Sequence, residues 1–270
     1  MNQVLLKIMT KKKLKKLVTP FILRRNKKEV LKELPDKIEQ NMILPFSDEE
    51  EKIYVANLAK VNEELQQLYD IEGSDKMQIL KMLTRLRQLC LEPRLVYDNI
   101  DQPSSKLKAC MELIKTMQEN KQKVLLFSSF TSALDLIAEE CQKAGITYYM
   151  LTGSTNKEER RELVSRFQKD NTTLFLISLK AGGTGLNLTS AENVIHYDPW
   201  WNVSAQNQAT DRVGQKSNVQ VFNLVMKDSV EEKIIEMQKR KKELADMFVE
   251  NNSGGLSQMS KEDILSLFTM

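Results

Sequence analysis

The amino-acid sequence predicts an α/β fold in which helices cover both faces of a parallel sheet, preceded by a mainly helical segment. Continuous apolar runs at 124–127 and 173–177 are typical of short strands buried on both faces. Amphipathic helical stretches alternate with such runs, and this alternation indicates right-handed β-α-β units. Upstream of about Asn99 the apolar residues recur at helical spacing, which predicts helices there.

Patterning along the 270 residues predicts four segments. They are a basic junction at 1–36, a helical segment at 37–103, an α/β lobe at 104–250, and a linker with a short helix at 251–270. Ser47 followed three residues later by Glu50 predicts a helix start, because each side chain can cap a backbone N–H of the other. A second helix is predicted to end at Pro93. In the lobe, strands are predicted at 124–127, 147–151, 173–177, 193–197 and 219–225, and helices at 105–119, 131–144, 156–169, 203–211 and 229–249.

Composition excludes several classes of protein. No apolar run approaches the roughly 18 residues that a membrane helix needs, and the lysine-rich start lacks the features of a secretory signal. The 3 cysteines and 1 histidine argue against a disulfide framework and against a Cys/His zinc site. The sequence therefore predicts a cytoplasmic protein with no metal site of its own and no membrane partner.

Positive charge is concentrated near the start of the chain. Although the net charge is only +3, residues 7–32 hold eleven lysines and arginines and one acid, Glu29. Such a stripe attracts polyanions, but it is also typical of a solvated or disordered end. The interleaved apolar residues, among them Leu14, Phe21 and Ile22, favour a packed segment.

Small hydroxyl, glycine and amide residues follow the predicted strands of the lobe. Because α/β sheets bind their ligands at the carboxyl ends of the strands, these residues should lie together at one edge. Such groups donate hydrogen bonds to phosphates, although a single cluster would indicate no more than helix capping. Their repetition predicts a long phosphate-bearing ligand. The segments are 128–131, 152–154, 178–187 and 198–202.

The glycine-rich stretch at 182–185 admits two interpretations. Glycine lets the backbone approach a ligand closely, and it also permits a tight strand-to-helix turn. The sequence contains no phosphate-binding loop of the G-x-x-x-x-G-K-[ST] type and no convincing acidic magnesium site. We therefore expect this chain alone to bind ATP weakly and to hydrolyse none.

A histidine, two tryptophans and an arginine can each be explained by a structural role as well as by a functional one. His196, at the end of a predicted buried strand, is expected to be a core residue rather than a catalytic one. Trp200 and Trp201 could stack on a base, but beside Pro199 they are better explained as packing residues that fix a loop. Arg212, after a polar stretch, could form a surface ion pair or clamp a transferring phosphoryl group.

Several motifs together resemble the second motor lobe of the SWI/SNF family of ATP-dependent DNA translocases, which are relatives of superfamily-two helicases. The motifs are GGTGLNLT at 182–189, HYDPWWN at 196–202 and QATDR at 208–212, with further likeness at 84–90, 124–130 and 152–154 and at Arg160. PFILRR at 20–25 and LPDK at 34–37 are similar to the junction that leaves the first lobe. The resemblance covers nearly the whole chain and implies a RecA-like parallel sheet. The chain is similar to a compact bacterial member of the family.

The resemblance implies a role for particular residues. Four would lie along the DNA backbone: Ser129, Ser154, Lys180 and Gly182. Gly185 and Asn187 would couple that groove to the nucleotide cleft. Arg212 would act as an arginine finger that reaches the triphosphate bound by the first lobe, and Gln208 would help to position it.

The same resemblance implies that ATP and Mg2+ are bound mainly by a first lobe that this sequence does not contain. The implied partners are double-stranded DNA and that lobe of the same polypeptide, in a monomer that is associated with the bacterial nucleoid when it is on DNA. Two alternatives stay open. One is a nucleic-acid-binding module without motor activity, which would use the stripe at 7–32, and the other is an RNA-remodelling lobe of the same superfamily.

One motif departs from the family. The family continues from the aspartate–arginine pair as D-R-x-x-R-I-G-Q, whereas the sequence DRVGQ at 211–215 is three residues shorter and lacks the second arginine. Either the protein has lost this arginine, which would put ATPase activity in doubt, or a short segment is missing from the sequence. The family pattern resumes at once from 214 to 219, which favours a missing segment.

Overall fold

Six parallel strands form one sheet in the computed structural model, which describes residues 37–69, 76–182, 186, 188–201 and 219–248, all within the unit 36–270. The strands follow the order β1-β6-β5-β2-β4-β3 across the sheet. Helices connect β1 to β2, β2 to β3 and β3 to β4, as the β-α-β units predict. The strands are β1 (Lys37–Leu44), β2 (Val124–Ser128), β3 (Tyr148–Leu151), β4 (Leu174–Ser178), β5 (Asn193–His196) and β6 (Val219–Met226). The helices are α1 (Asp48–Tyr69), α2 (Lys76–Leu91), α3 (Ser105–Glu119), α4 (Thr131–Lys143), α5 (Lys157–Lys169), the single turn α6 (Leu179–Gly182) and α7 (Val230–Phe248).

The edge strand β1 was not predicted. Its 8 residues pair in parallel with β6, starting from Lys37 opposite Val219. The apolar residues of β1 do not alternate regularly between a buried and a solvent face, because Ile38 and Ile43 are exposed at 55% and 48%. The segment predicted to be mainly helical therefore begins with a strand, and α1 and α2 follow it.

The start of α1 forms the predicted capping box. The Ser47 backbone N–H donates to Glu50 Oε2 at 2.7 Å, and the Glu50 N–H donates to Ser47 Oγ at 3.4 Å. Glu50 Oε1 also accepts the backbone N–H of Ser105 at 2.7 Å. One carboxylate therefore caps α1 and ties its start to the start of α3.

The central strands are buried on both faces, which explains their continuous apolar sequences. All five residues of β2 and all five of β4 are buried. Because side chains alternate along a strand, Leu126 packs with Ile114 and Leu134 from α3 and α4, while Phe127 belongs to a second core with Phe167 of α5. A third core joins α1, α2 and α7.

The cysteines are buried free thiols. Burial raises the pKa of Cys141 to about 12 and raises those of Cys90 and Cys110 still further from their ordinary value. A thiol of such high pKa carries almost no reactive thiolate near neutral pH. These residues therefore serve as small apolar side chains of the core.

Within the described ranges, no helix is long and apolar enough to cross a membrane.

Candidate nucleic-acid interface

The strand ends that were predicted to bind a phosphate-bearing ligand lie along one edge of the sheet. In the parallel register Ser128 stands opposite Ser178, and Phe127 stands opposite both Ile177 and His196. The turns that follow β2, β4 and β5 therefore leave the sheet at the same level. The residues after β3, which begin at Thr152, extend this edge because Leu151 also stands opposite Ile177.

A single carboxylate, that of Asp198, ties the turn after β5 to the turn after β2. Its Oδ1 accepts Ser128 Oγ at 2.7 Å and the Ser129 backbone N–H at 2.9 Å. Its Oδ2 accepts the Ser129 hydroxyl and, at 2.7 Å, Nη2 of Arg87. Asp198 is only 1% exposed, so these four hydrogen bonds replace the hydration that the carboxylate has lost.

Both hydrogen-bond donors of Ser129, its backbone N–H and its hydroxyl, are used inside the protein in this conformation. Its backbone N–H and its hydroxyl both donate to Asp198, and its oxygen accepts Arg87 Nη2 at 2.9 Å. A hydroxyl has one proton, so a phosphate contact by Ser129 requires this hydroxyl to turn away from Asp198. The role of Ser129 on DNA stays a prediction.

Arg87 reaches this cluster from α2 and is 5% exposed. Its guanidinium carbon lies 4.8 Å from the ring centroid of Phe130, 5.0 Å from that of Trp201 and 5.6 Å from that of Trp200. Burial lowers the pKa of this guanidinium, although the charge of Asp198 opposes the shift. The two tryptophans therefore pack on a buried cation, which agrees with their interpretation as residues that fix a loop.

The sequence reasoning missed the Arg87–Asp198 pair. In the sequence, Arg87 lies within the stretch 84–90, and Asp198 is one polar residue among others in the segment 198–202. A buried cation and a buried carboxylate that lie 111 positions apart leave no local pattern in the sequence. Only the fold brings them together.

Exposed polar side chains are present farther along the same edge. Ser154 and Lys180 are exposed, and Ser154 Oγ lies 2.8 Å from Thr152 Oγ1. Arg160 Nη2 donates to the carbonyl of Ala181 at 2.7 Å, which fixes α6 against α5. Ser154 and Lys180 are therefore placed where they could contact an extended polyanion.

Gly182 has a packing reason to be glycine. A Cβ at this position would lie 2.9 Å from Cε1 of the Phe127 ring and 3.5 Å from Cγ2 of Ile177. Carbon atoms pack at about 3.5–4.0 Å, so a larger residue would press on the core. The predicted approach of DNA to Gly182 is not needed to explain this glycine, and it stays a prediction.

His196 is a core residue, as the packing interpretation expects. It is 1% exposed, and its ring stacks on Phe127 with the centroids 5.6 Å apart. Within the ranges that the structure describes, no cluster of three or more histidine, cysteine, aspartate or glutamate residues could hold a metal ion.

Several predicted site residues lie outside the described residues. They are Gly185, Asn187, Gln208 and Arg212, and the same holds for the basic stripe at 7–32, the helix predicted at 203–211 and the linker with its short helix at 251–270. Their roles stay predictions.

A second buried ion pair lies where β6 ends and α7 begins. Lys106 Nζ of α3 donates to Glu231 Oε1 at 2.6 Å and to Oε2 at 2.7 Å, and their side chains are 0% and 1% exposed. Oε2 also accepts the Met226 N–H at 2.8 Å. Burial raises the pKa of Glu231, and Lys106 opposes that shift. This pair joins α3 to the start of α7.

Comparison with known proteins places the chain in a family. A model of the helicase conserved C-terminal domain matches residues 105–217, and a model of the SNF2-related domain matches residues 6–95. An uncharacterized ATP-dependent helicase of Mycoplasma pneumoniae is 36% identical over 254 residues, which are 93% of this chain and 24% of that protein. The chain spans about a quarter of the length of the first curated relatives that it matches.

Comparison with solved structures indicates the same family. The C-terminal domain of a SWI2/SNF2 ATPase of Sulfolobus solfataricus is similar with a TM-score of 0.69 and 27% identity, over 86% of this chain and 98% of that one. The ATPase core from the same organism in complex with dsDNA is similar with a TM-score of 0.70 and 31% identity, over 96% of this chain and 56% of that one. The predicted RecA-like fold is confirmed. The chain belongs to the SWI/SNF family of ATP-dependent helicases, and its sheet has the fold of the C-terminal domain of their ATPase.

Proposed function

We propose that this chain acts as the C-terminal lobe of an ATP-dependent translocase on duplex DNA. The observation that carries the proposal is the likeness of 96% of the chain to a SWI2/SNF2 ATPase core that is in complex with dsDNA. The match of residues 6–95 to the SNF2-related domain supports it, because it extends the family likeness beyond the sheet.

In this proposal, the carboxyl edge of the sheet holds the DNA backbone. Lys180 supplies a charge, and Ser154 supplies a hydroxyl on the same edge. Gly182 and Ser129 complete the contact, the latter after its hydroxyl turns from Asp198. Contacts to phosphates carry no base information, and those made by cations release counterions. Binding by the chain should therefore be weak, independent of sequence and sensitive to salt.

The catalytic contribution of the chain is Arg212. ATP and Mg2+ are held mainly by the other lobe, and closure of the two lobes brings the guanidinium of Arg212 to the charge that builds on the transferring phosphoryl group. Gln208 positions the arginine, while Gly185 and Asn187 couple the DNA groove to the nucleotide cleft. Each cycle of closure then moves the DNA grip of one lobe relative to the other.

The test measures ATP hydrolysis by a protein that carries both this chain and a nucleotide-binding lobe. Duplex DNA of mixed sequence should stimulate hydrolysis well above the rate without nucleic acid, and duplex RNA should stimulate it less. The 270-residue chain alone is the control and should bind ATP weakly without turnover. Stronger stimulation by RNA would favour an RNA-remodelling lobe, and DNA binding without any stimulation would favour a binding module. Either result would refute the proposal.

A further inference from the structure

The Arg87–Asp198 pair connects three separate parts of the fold. Arg87 comes from α2, Asp198 follows β5, and both bond to Ser129, which follows β2. Arg87 Nη2 also donates to the carbonyl of Pro199 at 3.3 Å. One guanidinium therefore holds the two turns together, and it holds both of them to the helical segment that precedes the lobe.

The two turns lead to different parts of the proposed function. The turn after β2 lies at the edge that is proposed to contact DNA. The turn after β5 continues through Trp201 into the segment that carries Gln208 and Arg212. A displacement of one turn must strain the hydrogen bonds of Asp198 or be followed by the other turn, because Asp198 lies in the turn after β5 and accepts the hydrogen bonds of Ser128 and Ser129.

The Lys106–Glu231 pair of the same molecule serves as an example of a purely stabilising ion pair, and it has a different arrangement of hydrogen bonds. Lys106 and Glu231 bond to each other through both carboxylate oxygens, and the remaining bond of Glu231 goes to the backbone of Met226. Neither residue hydrogen-bonds to the turn after β2 or to the turn after β5, although Lys106 Nζ lies 5.4 Å from the ring centroid of Tyr197, which follows β5. Arg87 instead divides its bonds among a hydroxyl, a carboxylate and a carbonyl that belong to two turns.

We propose that Arg87 and Asp198 are positioning residues that couple the turn after β2 to the turn after β5. Through this coupling, DNA contact at the turn after β2 changes the position of the segment that follows the turn after β5. The proposal rests on the proposed function for its link to DNA and ATP. The coupling between the two turns is a property of this chain alone.

The first test follows the coupling by tryptophan fluorescence in the 270-residue chain without DNA. The chain has 2 tryptophans, and both pack on Arg87. Arg87→Met should shift the emission to longer wavelength as water reaches Trp201. Ser129→Ala, which changes the other turn, should shift it in the same direction. Lys123→Met is the control, because Lys123 donates to the carbonyls of Phe167 and Asp170 at the opposite end of β2, and it should leave the emission of the folded chain unchanged.

The second test measures the coupling in ATP hydrolysis by the protein that carries both lobes. With saturating duplex DNA, Arg87→Met should lower the stimulated kcat about ten-fold, the middle of the range for residues that share one network. The DNA concentration for half-stimulation should change little, since Arg87 is buried. Arg87→Lys, which keeps the charge, should restore part of the rate. Lys123→Met should keep the full stimulated kcat at temperatures where it is folded.

The outcomes separate the coupling from the proposed function. Unchanged emission in Ser129→Ala, or full stimulation in folded Arg87→Met, overturns the coupling. If Arg87→Met does not fold, Arg87→Lys and Asp198→Asn take its place, and full stimulation in both overturns the coupling equally. If the unaltered protein shows no stimulation by DNA, the proposed function fails, while the emission of the chain still decides whether the two turns are coupled.

Discussion

Replacement of Gly182 by alanine tests whether packing or ligand contact makes this residue glycine. The new Cβ would lie 2.9 Å from Phe127 Cε1 and 3.4 Å from Cδ1. Phe127 is 1% exposed and stacks on His196, so its ring cannot turn away into solvent. Overpacking of this kind destabilises by about 1–3 kcal/mol. The higher helical propensity of alanine applies to helix interiors, and it offsets little of that loss at the last residue of a single turn, so a net loss of about 1–3 kcal/mol remains.

The assay is thermal and urea unfolding of Gly182→Ala beside Gly153→Ala. Nothing lies within 4 Å of a Cβ at Gly153, so the second variant should be as stable as the original protein. For a chain of this size, Gly182→Ala should lower Tm by about 4 °C.

Phe127→Leu should relieve the contact, so the double variant should show a coupling of at least about 1 kcal/mol in a double-mutant cycle. Equal stabilities of the two glycine variants would refute the packing argument. Weak DNA binding by a stable double variant would show that Gly182 also contacts DNA.

Three further predictions concern function and burial. Arg212→Lys in the protein with both lobes should lower kcat by orders of magnitude because the planar fork is lost, with Tm unchanged; a lower Tm with turnover kept would show a structural ion pair instead. Lys180→Ala should weaken duplex binding by the chain and lower the slope of log affinity against log salt by about 1, whereas Lys143→Ala, at an exposed lysine in the last turn of α4, should leave that slope unchanged. The cysteines should resist a thiol reagent at neutral pH until the chain unfolds, since burial raises the pKa of Cys141 to about 12; rapid labelling of the native protein would contradict their burial.

Local patterns in the sequence predicted most of the lobe. The continuous apolar runs of β2 and β4 and the polar residues that end them gave strand positions that agree with the structure to within one residue. The capping box at Ser47 and Glu50 is present as predicted. These signals are local because burial on both faces of a strand and the capping of a helix depend on neighbouring residues.

Features that depend on contacts between distant parts of the chain were not predictable. The strand β1 depends on pairing with β6, and its exposed isoleucines break the regular alternation. The Arg87–Asp198 and Lys106–Glu231 pairs join residues more than a hundred positions apart. The commitment of the Ser129 hydroxyl to Asp198 could be recognised only once these partners were known.

Translocation along DNA tests the central claim most directly. The protein that carries both lobes is supplied with ATP and a duplex on which a third strand is bound, and release of the third strand is followed with time. Release should depend on ATP, should require duplex DNA beside the third strand, and should be abolished in Arg212→Ala while DNA binding is kept. Release that is equally fast in Arg212→Ala, or ATP hydrolysis on duplex DNA without any release, would contradict the claim.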